Sequence, residues 1–96
     1  MKLHYQGSIR RLQGSGMAFA SFDNDVDPAV VGVGKMDRIA VPDSAVTIDR
    51  VGEEDMDFTF HYFDSKTPYH ITRGEQIQVK KEGNAFGFHL TFTLED

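Results

Sequence analysis

The chain has 96 residues, 40% hydrophobic and 26% charged, with four histidines and no cysteine, which suits one modest core and neither a disordered nor a membrane-embedded chain. The lack of cysteine excludes a disulfide framework, a thiolate zinc site and a thiol nucleophile. The net charge of −5 is uneven, with +3 over residues 1–22, −7 over 23–57 and −1 over 58–96, so the clustered Lys and Arg needed to wrap duplex nucleic acid are missing.

At the N-terminus, "KLHYQGSIR" sets Leu3, Tyr5 and Ile9 on alternate positions, the period of a strand with one buried face. The stretch lacks the apolar centre of a signal peptide, and no run approaches the roughly 20 apolar residues that cross a bilayer; a cytoplasmic protein is expected. "GMAFASF", after a "QGSG" loop, is expected to be a second strand.

"SFDNDVDPAVVGVG" follows, with Asp23, Asp25 and Asp27 alternating before Pro28. These acids fill positions one, three and five of an EF-hand loop. Pro28, however, stands where the sharp turn needs Gly, and Gly34 where the bidentate acid belongs. An EF-hand is excluded. Calcium remains only as an edge site using Asp23, Asp25 and Asp27 with Asp55 and Asp57, set against the plainer use of Asp and Asn in turns. Asp27 before Pro28 is also a helix-start signal, but Val-Val-Gly-Val-Gly is poor helix material, so "AVVGV" is expected to be a strand. "RIAV" and "AVTIDRV" then read as strands joined by a turn at Pro42-Asp43-Ser44.

The C-terminal third alternates most cleanly. Met56, Phe58, Phe60 and Tyr62 share one face, as do Tyr69, Ile71, Ile77 and Val79, and then Phe86, Phe88, Leu90, Phe92 and Leu94. "KEGNAF" predicts a two-residue loop at Gly83-Asn84 that pairs Val79 with Phe88 and Ile77 with Leu90. Arg73-Gly74 marks either a bulge or a second turn. With "FDSKTP" as a longer loop, Tyr62 is expected opposite Tyr69, which makes His61 and His70 cross-strand neighbours. His89 then falls opposite Gln78, about 26 Å from His70 along the sheet, so a site built from all three histidines is excluded. Neither a GxSxG elbow nor a complete phosphate or dinucleotide loop is present.

Residues 1–96 are therefore expected to form a single all-β domain, an antiparallel sandwich or small barrel of about 7–8 short strands with a C-terminal three-stranded meander. The leading functional expectation is a small non-catalytic binding protein that occupies a basic partner surface through an acidic face, as small inhibitors and mobile-element proteins do. Its candidate contacts are Asp23, Asp25, Asp27, Glu53, Glu54 and Asp55, with the outward-facing Phe63. A ligand-binding or structural sandwich that forms a homo-oligomer comes second. An enzyme or metal protein built on His61 and His70, or on the Asp23, Asp25 and Asp27 loop, comes last; apart from calcium at that loop, no cofactor is expected.

Overall fold

The computed structural model describes residues 1–11, 19–83 and 86–96, and these form an all-β sandwich of two antiparallel sheets. The strands are β1 (Lys2–Arg11), β2 (Phe19–Val26), β3 (Met36–Arg38), β4 (Ser44–Val51), β5 (Asp55–Tyr62), β6 (Ser65–Thr72), β7 (Ile77–Glu82) and β8 (Phe86–Glu95), with one short helix, α1 (Pro28–Val31). One sheet runs β2-β1-β8-β7 and the other β3-β4-β5-β6. The "QGSG" loop, the start of "GMAFASF" and Asn84 of the last hairpin lie outside the described residues.

Alternation places the core as expected. Leu3 and Tyr5 of β1, Val46 and Ile48 of β4, Met56, Phe58 and Phe60 of β5, and Phe88, Leu90, Phe92 and Leu94 of β8 are all buried. The sheets meet through aromatic rings: Phe58 and Phe92 lie 4.9 Å apart between centroids, and Phe60 lies 6.2 Å from Phe88 and 6.0 Å from Phe92. Each ring buries enough apolar surface to favour folding by about 1.5–3 kcal/mol. Ser44, the one buried polar residue among the described residues, donates its hydroxyl hydrogen to the Val41 carbonyl at 2.5 Å. No helix among the described residues is long and apolar enough to cross a membrane.

Five local expectations are corrected, the first being "RIAV", of which only Arg38 is strand, at the end of β3. The expected strand at "AVVGV" is instead α1: Asp27 Oδ1 accepts from the Ala29 amide at 2.9 Å, Pro28 opens the turn, and Gly32 at φ 96° closes it. A helix of one turn accumulates little propensity cost, so the cap decides the conformation. Arg73-Gly74 belongs to a turn, with Gly74 at φ 83°, that carries the chain from one sheet to the other. The expected three-stranded meander is thereby split, with β5 and β6 in one sheet and β7 and β8 in the other. Both sheets bury their apolar rows in the same core, so alternation alone does not reveal which sheet a strand joins.

The two hairpin registers also differ from expectation. Phe63-Asp64 is a tight loop and most of "FDSKTP" is strand, so Tyr62 pairs with Ser65 and Phe58 with Tyr69. Pro68 is accommodated because β6 lies at the sheet edge. In the last hairpin Val79 faces Leu90 and Ile77 faces Phe92, two residues from the expected register.

β1 is held on both sides, and Gly7 sits where it passes closest to β8: a Cβ at this position would fall on the His89 carbonyl oxygen. Gly7→Ala is expected to cost at least about 1–3 kcal/mol, as forced overpacking does. For a domain this size that lowers the thermal midpoint by about 5 °C or more, measurable by circular dichroism or calorimetry. A midpoint equal to that of the parent would show that β8 yields here.

Candidate functional site

The β5–β6 hairpin builds the first candidate site. The Ser65 hydroxyl donates to the Tyr62 carbonyl at 2.7 Å, tightening a two-residue loop whose first member, Phe63, takes φ 53°. A bulky side chain at positive φ is an outlier, and such residues cluster at functional sites. Its amide donates to the Asp43 carbonyl at 2.9 Å, and Asp43 itself takes φ 59°. These are the two non-glycine residues at positive φ among the described residues, and they touch. The Phe63 ring packs edge-to-face on Tyr62 at 4.6 Å, yet Phe63 is 61% exposed.

Beside Phe63 lies a depression of about 450 Å³. The register sets its floor and walls, because Arg38, Ala45, His61 and Lys66 stand in one cross-strand row on the outer face. Ala45 is short, so the row dips between longer neighbours. Met36, 61% exposed, borders the same space. His61 is fixed by a 2.8 Å hydrogen bond between Nε2 and the Thr47 hydroxyl. Among the described residues neither Arg38 nor Lys66 has an ion-pair partner, and Asp43 and Asp64 complete the charged rim. Burial and the Asp43 charge together push the Tyr62 hydroxyl above its ordinary value. The opposite sheet carries troughs of about 480 and 600 Å³, lined by no exposed large apolar residue and by no positive-φ non-glycine residue.

A second cluster sits on that opposite sheet. β1 and β2 pair His4 with Asp25 and Gln6 with Asp23, so both aspartates flank the imidazole on the outer face. His4 Nε2 lies 2.9 Å from Asp23 Oδ1, and Nδ1 lies 2.8 Å from Asp25 Oδ1 and 3.7 Å from Glu95 Oε2. The His4 side chain is only 15% exposed. Burial pulls its pKa down, but the hydrogen bond to Asp25 and the charges of Glu95, Asp23 and Asp25 outweigh that and raise it.

A third cluster is a salt-bridge network. Arg50 follows a bulge at Asp49; its Nε reaches Asp57 and its Nη2 reaches Asp55, each at 2.7 Å. His70 Nδ1 stands 2.6 Å from Asp57 Oδ1. The hydrogen bonds from His70 and then Arg50 hold Asp57 below the ordinary carboxylate range. Arg73 clamps Glu54 and the C-terminal Asp96 in the same manner. No family model, no curated protein and no solved structure matches the chain. The sites therefore rest on geometry alone.

The expected His61–His70 pair does not form. His61 faces Lys66 and His70 faces Asp57, four residues apart along β5, about 13 Å and beyond the reach of one ion. The aspartate triplet also divides: Asp23 and Asp25 lie on strand β2, and Asp27 is spent on the helix cap. Of the acids expected to face a partner, Asp55 is held by Arg50 and Glu54 by Arg73; Glu53 has no ion-pair or hydrogen-bond partner among the described residues. Phe63 is exposed as expected. His4 was missed, although its position between inward Leu3 and Tyr5 marks it as outward. The "QGSG" loop marks the link between β1 and β2 in sequence but does not fix the register that brings His4 to the aspartates.

The raised His4 pKa carries a signed consequence. The stabilisation is fully present below the ordinary histidine value of about 6.5 and is lost as pH rises through the higher folded-state value. An NMR titration should show His4 losing its proton at higher pH than in Asp25→Asn. Stability should fall across the same window by a fraction of a kcal/mol, the scale of a partly exposed pair. A His4 that titrates alike in both proteins would contradict this.

Proposed function

We propose that the protein is a non-catalytic binding module that engages a partner protein through the Phe63 depression. The observation that carries this reading is Phe63 itself, a large ring 61% exposed on left-handed backbone and bonded to a second left-handed residue. A left-handed non-glycine residue costs about 1–2 kcal/mol, and glycine at this tight loop would avoid it. The fold gains little from the ring beyond its contact with Tyr62. Its retention fits a side chain kept for what it contacts in a complex.

The surroundings have the anatomy of a protein contact: an apolar centre of Phe63, Met36 and Pro42 inside a rim that carries both signs of charge. Arg38 and Lys66, without ion-pair partners among the described residues, suit acidic groups of the partner. A phosphate backbone would meet Asp43 and Asp64, which favours a protein over a nucleic acid. This moves the contact surface from the acidic segment, where Asp23, Asp25, Glu54 and Asp55 of the six candidate acids are paired within the chain, to the hairpin end. A cysteine-free chain suits a reducing compartment, and the cytoplasm is part of the same proposal.

Two measurements test the reading. Phe63→Gly relieves the left-handed backbone but adds chain entropy of about 0.5–1 kcal/mol, so its thermal midpoint should stay within a few degrees of the parent or rise. A fall of about 10 °C or more would mean that Phe63 serves the fold and would sink the proposal. A photo-crosslinking side chain at position 63 should give a discrete product in host extract that is absent with the probe at position 33, itself 52% exposed, and lost on Arg38→Glu with Lys66→Glu. A product of twice the chain mass would replace the partner protein with a second copy of this chain.

A further inference from the structure

We infer that His4, Asp25 and Glu95 form a binding site for a divalent transition-metal ion of the zinc class, with Asp23 as the carboxylate that orients the imidazole. His4 Nδ1, a carboxylate oxygen of Asp25 and one of Glu95 all lie within 4.8 Å of one another, and among the described residues this is the one such group. Ligand atoms at about 2.1 Å around a tetrahedral ion stand roughly 3.4 Å apart. The observed separations of 2.8 Å from Nδ1 to Asp25 and 3.7 Å from Nδ1 to Glu95 bracket that figure, so an ion needs only small side-chain shifts.

The fourth residue distinguishes the group from a chance cluster of acids. A metal-bound histidine characteristically donates its other ring N–H to a carboxylate, which fixes the tautomer and turns the remaining lone pair toward the ion. Asp23 Oδ1 stands 2.9 Å from His4 Nε2, on the side of the ring away from Asp25 and Glu95. With Nε2–H given to Asp23, the Nδ1 lone pair faces both ligand carboxylates. All four groups stand on adjacent paired strands, β2, β1 and β8, and the imidazole is mostly enclosed; backbone pairing therefore holds the site before any ion arrives.

The donor set selects the ion. One imidazole nitrogen and two carboxylate oxygens suit zinc, cobalt or nickel, whereas calcium takes six to eight oxygens and gains little from nitrogen. The metal expectation thus moves from calcium on the aspartate triplet to a softer ion on His4. Three protein ligands leave positions open to water. The His70 cluster fails the same comparison, because His70 meets Asp57 and Asp55 through different ring nitrogens and the Arg50 guanidinium already occupies both carboxylates. Among the described residues, Lys2 Nζ, 3.9 Å from Asp25 Oδ2, is the one lysine or arginine paired with these carboxylates and opposes a bound ion. It is long and partly exposed, and so can swing aside.

Zinc titration followed by calorimetry and by histidine-detected NMR tests the site. The full chain should bind one Zn²⁺, with the His4 ring signals shifting first and those of His61, His70 and His89 following only at higher concentration. Glu95→Gln and Asp25→Asn, both exposed positions that leave the fold intact, should each weaken binding at least about 100-fold, and Asp23→Asn about 10–100-fold. Lys2→Met should tighten binding, and calcium should not compete. The site is refuted if no zinc binds up to about 1 mM, if another histidine shifts first, or if Glu95→Gln and Asp25→Asn bind as the parent does.

Discussion

The contact of Phe58 with Phe92, extended by Phe60 and Phe88, is the interaction on which the rest of the molecule depends. It joins β5 to β8, each an inner strand with two hydrogen-bonded neighbours in its sheet. Two four-stranded sheets without a shared face would each leave an apolar surface in water. A 96-residue chain has no second core to fall back on. Once this seam closes, the inward positions are committed to packing. Chemistry is left to the outward positions, and both candidate sites lie there.

Charge follows a related logic. The middle of the chain is strongly acidic in sequence, yet on the surface several of its acids meet His4 of β1 and Arg73 after β6, and others meet Arg50 of the same segment across the β4–β5 turn. Solvent screens exposed pairs of this kind, so they add little stability. Their effect is on recognition, since a carboxylate already engaged by a guanidinium presents little net field to an approaching partner. A charge block in sequence becomes a charged face only when the fold leaves it unpaired, and here half of its ten acids, Asp23, Asp25, Glu54, Asp55 and Asp57, are paired.

The strand faces were legible in the sequence, and the partners were not. Alternation identified which residues of β5, β7 and β8 point inward, because burial of one face enforces a period of two. Register and sheet membership obey weaker rules. The β7–β8 pairing differs from expectation by two residues and β5–β6 by four, and every even shift keeps apolar against apolar. What fixes β5–β6 is the Phe63-Asp64 turn, which lacks the Gly or Asn that marks such a turn and so read as part of a longer loop. The same feature explains the candidate site: where local sequence and local backbone disagree, something other than folding has chosen the residue. The His4 cluster was half legible, through the alternating aspartates. Its histidine is some twenty residues away, and only the β1–β2 register unites them.

The way the sheet edges are finished bears on how a partner engages. β3 has three residues, β6 carries Pro68, β7 exposes Lys80 and Lys81, and β2 exposes Asp23, Asn24 and Asp25. Short length, proline and charge are the usual means by which an edge avoids pairing with another chain. Strand addition is therefore disfavoured at all four edges, and association is left to faces and loop tips. Phe63 lies at the end of the sandwich where Tyr62 meets Phe88, and His4 lies toward the other end, where Lys2 faces Glu95 and Leu3 faces Leu94. The molecule is 47 Å long and the two sites lie on opposite sheets, so occupancy of one does not obstruct the other. A metal ion at His4 would be linked to a complex formed at Phe63 through β8, whose Phe88 and Glu95 belong to the two ends in turn.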